Sequence, residues 1–519
     1  MQLTRGNAAT TARGRLARLA WLLLFTAAWS AAGLAQPAPA SSPHIRYRVI
    51  NLGPGAIADY PHINAAGQVA FSLISGGRIA AFFHDGAVVR PIVAQGGGSV
   101  YVAGLNDAGQ VAGTALDAHG VEQAFAWSPG GGMLGIHGAN GGHAYGRAIS
   151  PSGIVTGAFS PGPNAPLRPF RWSAAHGLED LGLAPGLPWP SSGTVLSDGR
   201  LIAGTATIDD EQTHALVWTR AGGTVAIDTL GSVESEPVAV GPGGEVAGNR
   251  LASPDDGGDR PFLWTRAAGM LDLGTGRGTS AWVNAMSPGL HIAGGIGHAD
   301  GHQRAMSWTR RGGMRELGTL GGRTSVARGV NGRGQVVGFA ENRAGGMRAF
   351  VWSAGGGMLD LNGALRQAPP GLVLEHAMAI NDSGAIVASS NAGLVLLRPD
   401  HGQGGGQVGG HLLGPVIAPA SVRPGVQLAA RVGFVDEDQT GTRSIGWSWG
   451  DGSGEQAGKL REQGGVGAAS ASHAYAAPGR YEVVVRVVDR DGRATTVSQR
   501  VEVTDDSESM AGATKAHHF

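Results

Sequence analysis

Ser325-Val-Ala-Arg-Gly-Val-Asn331-Gly-Arg-Gly334-Gln-Val-Val-Gly338, then Arg348-Ala-Phe-Val-Trp352 and Gly357-Met-Leu-Asp-Leu361, contains each recurring feature of this 519-residue chain. Its closing tryptophan returns at Trp127, Trp172, Trp218, Trp264 and Trp308, in steps of 45, 46, 46, 44 and 44 residues. Counterparts of Gly334 stand at Gly67, Gly109, Gly153, Gly199, Gly244, Gly289 and Gly384, which makes eight copies. A period in the mid-forties marks a repeat whose unit is one supersecondary block.

Each copy offers four short apolar runs: Met-x-Asp-Leu-Gly, Ala-x-x-Val/Ile, Gln-Val-Val-Gly and Ala-Phe-x-Trp. Each is about 4–6 residues long and bounded by Gly, Pro, Asn or Ser, which predicts strands. The connections Asn64-Ala-Ala-Gly67, Asn106-Asp-Ala-Gly109, Ser150-Pro-Ser-Gly153, Asn331-Gly-Arg-Gly334 and Asn381-Asp-Ser-Gly384 read as tight hairpin turns. Asn or Ser can accept a hydrogen bond from backbone two residues on, and glycine takes the positive φ. The fold class is therefore all-β: a seven- or eight-bladed propeller of four-stranded repeats over residues 45–398. The tryptophans are expected to be buried between blades. Phe83 stands in for tryptophan in the first copy and Leu396 in the eighth. The run Tyr47–Gly53 matches the Met-x-Asp-Leu-Gly element, so no half-unit is left over.

A Gly-rich linker occupies 399–412 and is expected to let the C-terminal part of the chain move freely. Beyond it the texture changes. Gln427–Val435, Ser444–Trp449, Arg480–Val488 and Thr495–Val503 alternate as half-buried strands of a β-sandwich spanning 413–504. Residues 505–519 form a polar tail, expected to be disordered. At the other end, Arg5, Arg13, Arg15 and Arg18 precede the apolar run from Leu19 to Ala32, with small residues before Gln36. This predicts a signal peptide over 1–35 and a leader over 36–44.

Glycine numbers 90, acids and bases balance at 39 each, and charged residues make up only 15%. No basic field points to nucleic acid, and no later apolar run suggests a membrane span. Cysteine is absent, which excludes disulfides and thiolate chemistry. Gly446-Trp-Ser-Trp-Gly450 has nucleophile-elbow spacing, but β-sequence comes next where a helix is needed. His298, Asp300 and His302 fall on one loop, where turn roles are commoner than metal binding. Asp436, Asp438 and Asp451 carry oxygen ligands that would suit calcium if gathered at one end of the sandwich. No catalytic residue and no bound cofactor is assigned.

The runs Arg348-Ala-Phe-Val-Trp352, Arg304-Ala-Met-Ser-Trp308, Arg260-Pro-Phe-Leu-Trp264 and Glu316-Leu-Gly-Thr-Leu-Gly-Gly322 resemble the extracellular HAF-repeat family. That resemblance implies a secreted, periplasmic or cell-surface bacterial protein and carries no common activity. The C-terminal unit resembles a PKD domain, an immunoglobulin-like sandwich. The matching residues are Trp447, Trp449, Gly450, Asp451, Gly452, His473, Tyr475, Gly479 and Tyr481. In that family Gly-Asp-Gly makes a tight turn and the aromatic residues mostly build the core. Together these features predict a monomeric, non-enzymatic binding or adhesion scaffold for an extracellular polysaccharide or protein. The alternative is a secreted propeller-type hydrolase or lyase with an accessory domain.

Overall fold

The computed structural model describes residues 45–504 except 76, 95, 164, 183–190, 197–200, 210–211, 220–222, 229, 254–257, 401–410, 420, 437–440, 464–465, 491 and 493. The expected signal peptide, leader and C-terminal tail lie outside the described residues, as do Gly199 and most of the linker.

Eight antiparallel sheets succeed one another from Arg46 to Asp400. The first runs from Ala56–Ile57 to Val89–Ile92, and the second from Val100–Leu105 to Gly132–Ile136. The third begins at Ala144–Ile149, the fourth at Ser191–Leu196, the fifth at Glu234–Val240, the sixth at Ser280–Met286 and the seventh at Gly321–Val330. The eighth joins Leu374–Ile380, Ile386–Ser390 and Gly393–Asp400 to the N-terminal strand Arg46–Gly53. That strand pairs antiparallel with Gly393–Asp400, from Arg46 opposite Asp400 to Gly53 opposite Leu394. The two ends of the array thus share one sheet, and the edge each would otherwise expose is removed. Leu52, Val69, Phe71 and Leu73 then pack with Val387, Leu394 and Leu396, joining the last sheet to the first.

Local sequence explains the contacts between sheets. On the third strands of the second, third, fifth and seventh sheets Phe and Trp sit two residues apart, so both face the preceding sheet. Phe350 and Trp352 pack with Ala293, Ala305 and Leu317 of the sixth sheet, and Arg315 of that sheet lies over the Trp352 ring at 5.1 Å. Trp218, Trp264 and Trp308 are likewise buried, Trp127 is 8% exposed, and Trp172 is only partly buried. Glycine of the Gln-Val-Val-Gly run is required by this packing. A Cβ at Gly338 would stand 2.0 Å from the Val326 carbonyl oxygen and 3.0 Å from the Phe350 ring.

Register corrects the end copies. Trp127 faces Val111 and Trp352 faces Val336 across their ladders. The corresponding partners are Val69 with His84 and Ile386 with Leu397. His84 and Leu397, not Phe83 and Leu396, therefore hold the tryptophan position. A one-residue shift reverses the face, and Phe83 points forward onto Trp127 with ring centroids 5.1 Å apart.

The hairpin turns do more than close their own sheets. The Asn106 side-chain oxygen accepts the Gln110 amide at 2.9 Å, four residues on instead of two, while its Nδ2 donates to the Ser150 carbonyl of the next sheet at 2.9 Å. Asn64 donates to the Asn106 carbonyl, Asn331 to that of Asn381, and Asn381 to that of Asn64. These four buried asparagines link the seventh, eighth, first, second and third sheets turn to turn.

One turn departs from the glycine pattern. In the sixth sheet the positive φ falls on Leu290 (φ 59°), whose amide bonds the Ser287 carbonyl, and not on Gly289. A Cβ in this region costs about 1–2 kcal/mol. Leu290→Gly is expected to stabilise the chain by on the order of 1 kcal/mol, read from urea unfolding. A destabilised variant would show that the Leu290 side chain contributes more than its backbone costs.

The C-terminal residues form two facing sheets. One contains His411–Ile417, Gln427–Asp436, Val466–Ala474 and Lys459–Gln463. The other contains Ser421–Val422, Ala494–Val503, Gly479–Asp489, Thr442–Ser448 and Gln456–Ala457. The sandwich packs on the ring: Val435 is buried with Leu361, Ala364 and Leu365, and Gly433 leaves room for Pro370.

Candidate functional site in the central channel

The first strand of each sheet is the innermost, and in seven sheets its ladder slips by one residue at the same place. The slips leave Ala103, Arg147, Thr194, Val238, Asn284, Arg328 and Met378 as the extra residue. Thr194 apart, whose following residues lie outside the described ones, each lies three residues before the first residue of its hairpin turn. A bulge re-aims the side chain it carries. In the first sheet the strand is interrupted by Ala58–Pro61, which places Asp59 and Tyr60 in that region.

One contact shows that these positions reach across the ring. The Arg328 guanidinium lies 5.5 Å from the Tyr60 ring centroid and 5.6 Å from that of Phe339, although the eighth sheet separates the seventh from the first. Phe339 in turn meets His376 edge-on at 4.8 Å, and His376 Nδ1 lies 3.3 Å from the Ser389 hydroxyl. On the other side, Arg147 of the third sheet acts electrostatically on Asp59 of the first. Burial raises the Asp59 carboxyl above the usual carboxylate range, and Arg147 opposes that rise only in part. Tyr60 is 51% exposed and Arg147 is exposed. Among the described residues neither Arg147 nor Arg328 has a carboxylate within ion-pair distance. Asn284 Nδ2 donates to the Ala327 carbonyl at 2.7 Å, leaving its oxygen as an acceptor.

Sequence inspection misses these residues because no local motif joins them. The signal lies in the internal alignment: within an otherwise small and apolar frame, one position varies among Ala, Arg, Thr, Val, Asn and Met.

The residues singled out from sequence are placed elsewhere. Trp447, Trp449, His473, Tyr475 and Tyr481 form one continuous contact series in the sandwich, with successive ring centroids 5.7, 5.0, 4.9 and 4.3 Å apart. Trp447, Trp449 and Tyr475 are fully buried, and the Tyr475 hydroxyl donates to the Trp449 carbonyl at 3.0 Å. Gly450 and Gly452 flank Asp451 with positive φ, as the turn requires. Gly479 opens the strand that carries Tyr481.

The aspartates that would suit calcium are engaged separately. Asp436 is buried and accepts the Gly441 amide at 2.6 Å. Asp451 accepts from the Ser453 amide and hydroxyl and meets His473 Nε2 at 2.6 Å. Asp438 lies outside the described residues. Among those described, no three His, Cys, Asp or Glu side chains are grouped to hold a metal ion. Asp300 accepts the His302 amide within its turn, and His298 pairs with Glu316 at 3.3 Å. Ser448 ends a strand and is exposed between two buried tryptophans.

Burial works to raise Asp451, but hydrogen bonds from Ser453 and His473 outweigh it and hold the carboxyl at about 2. A depressed folded value stabilises the fold above the unfolded aspartate range, and that gain is lost as pH falls toward about 2. Acidification from about pH 4 to about pH 2 is expected to remove on the order of 1 kcal/mol from the sandwich through this group. Asp451→Asn should flatten that part of the stability–pH curve. An unchanged acid slope in the variant would refute the assignment.

Residues 414–504 match the PKD domain family. The aromatic series and the Gly450–Gly452 turn are therefore features of a PKD domain. A search of the curated proteins returns no relative of this sequence. Among solved structures, TolB from Acinetobacter baumannii is similar at 10% identity and TM-score 0.32, covering 64% of this chain and 79% of that one. The β-propeller domain of the Trilobed protease from Pyrococcus furiosus is similar at 12% identity and TM-score 0.39, covering 59% and 98%. The Aleuria aurantia lectin, solved with α-methyl-L-fucoside, is similar at 10% identity and TM-score 0.27, covering 52% and 97%. Likeness this distant transfers no activity. Among the described residues no helix is long and apolar enough to cross a membrane.

Proposed function

We propose that this chain is an extracellular binding scaffold that captures a polysaccharide or surface protein at its central channel. The observation that supports this reading most strongly is the approach of Arg328 to Tyr60 across the ring, with Arg147 exposed at the equivalent bulge of the third sheet. Two guanidinium groups without a carboxylate at ion-pair distance among the described residues and a half-exposed aromatic ring are recognition groups kept available on the innermost strands. A catalytic constellation needs a nucleophile or paired acid and base held in mutual contact, and the Asp, Arg and Tyr groups here have no such partner arrangement. The signal-like N-terminus, the PKD domain and the resemblance to HAF repeats all suit an exported protein.

The test is a binding screen of secreted protein against glycans and matrix proteins, with hydrolysis of the same ligands monitored in parallel. Saturable capture of at least one ligand without cleavage is the expected result. Capture of none, or turnover of any, would overturn the proposal.

A further inference from the structure

We infer that the channel ligand is an acidic polysaccharide whose oxyanion groups pair with Arg147 and Arg328; this deepens, and rests on, the binding-scaffold reading above. The argument starts with Arg328. Tyr60 and Phe339 both approach its guanidinium at cation–π distance. Rings so placed orient the planar group while leaving its N–H edge as the donor surface. That edge is a fork suited to two oxygens of one carboxylate or sulfate, and pre-orientation reduces the entropy lost when it is engaged. Arg147 supplies a second guanidinium, exposed and free of hydrogen bonds and ion pairs among the described residues.

The neighbouring groups narrow the class from any anion to an anionic sugar. Tyr60 keeps 51% of its surface exposed, enough to present apolar ring area to the C–H face of a pyranose. The Asn284 oxygen is an acceptor suited to a hydroxyl, since Nδ2 is already committed to Ala327. Ala103 and Val238, on the intervening innermost strands, add no charge. Asp59 is a carboxylate near Arg147, and its burial disfavours the charged form.

The experiment titrates the full chain with polygalacturonate, the same polymer with its carboxyls reduced to alcohols, dextran sulfate and poly-glutamate. Affinity is measured by calorimetry at about 50 mM and about 500 mM NaCl. Polygalacturonate, dextran sulfate or both should bind about tenfold or more tightly than the reduced polymer, and high salt should weaken that binding. The preferred polymer identifies carboxylate or sulfate as the source of the oxyanion. Arg328→Gln and Arg147→Gln should each weaken binding about tenfold, and Arg328→Lys, which keeps charge but loses the fork, should recover only part of it. Arg147 is exposed and makes no hydrogen bond among the described residues, so its variant keeps the fold even if Arg328→Gln does not. Equal affinity for the reduced polymer with no effect of Arg147→Gln would overturn this inference and leave the scaffold reading intact. Poly-glutamate bound as tightly as either acidic glycan would also overturn it, since the site would then read charge alone. Capture of no glycan or matrix protein would overturn both readings.

Discussion

Trp352→Ala is expected to lower the unfolding free energy by about 3–5 kcal/mol. The ring is 6% exposed and packs with Ala293, Ala305, Leu317, Val336 and Phe350. Two of those neighbours are alanines, already too short to move into the vacated space. Removal therefore leaves a cavity as well as losing the transfer energy of the indole. The Arg315 guanidinium over the ring also loses its aromatic partner. Trp172→Ala provides the internal comparison, because that ring is only partly buried. Its loss should be about half as large, in line with the smaller apolar area removed. Urea unfolding monitored by far-ultraviolet circular dichroism measures both. A Trp352 variant within about 1 kcal/mol of the parent would mean that the tryptophans do not hold neighbouring sheets together.

Asn381→Ala should cost about 1–3 kcal/mol, because the buried Ala385 amide loses its partner and the Asn64 carbonyl keeps only the Gly67 amide. Asn381 Nδ2 donates to the Asn64 carbonyl at 2.9 Å, across the junction of the eighth sheet and the first. Its oxygen accepts the Ala385 amide at 2.9 Å inside its own turn. No neighbouring side chain replaces both bonds, and the position is nearly closed to water. The variant should also make the N-terminal strand easier to cleave, because Arg46–Gly53 is held by the same sheet. Limited proteolysis with mass spectrometry reads this directly. Unchanged stability together with unchanged cleavage would remove the asparagine link from the account of ring closure.

The repeat, its strands and its turns are legible because one pattern recurs eight times at nearly constant spacing. The match of Tyr47–Gly53 to the Met-x-Asp-Leu-Gly run points to the element that completes the eighth sheet. Pattern alone does not fix register. An aromatic residue is the natural substitute for tryptophan, which favours Phe83, yet the ladder places His84 opposite Val69. Glycine is the natural residue for positive φ, which favours Gly289, yet the turn places Leu290 there. The asparagine turns read as local, since a side-chain amide reaching into the next sheet leaves no mark within one repeat.

The channel residues are the least legible. Arg147 and Arg328 are 181 positions apart in sequence, and Tyr60 belongs to an interruption that has no counterpart in the other copies. Only ring closure brings them together. In the PKD domain part of the site is local: Trp447 and Trp449, and His473 and Tyr475, are each two residues apart, while the Trp449–His473 contact joins the two sheets.

Binding without turnover in the channel is tested most directly by measuring capture and cleavage of polygalacturonate in one assay. Bound polymer, total polymer length and new reducing or unsaturated ends are measured over time with the parent chain and with Asp59→Asn. The expected result is saturable capture, constant polymer length and no new ends for either protein. New ends that accumulate with the parent and disappear with Asp59→Asn would contradict it, and would make the channel an active site.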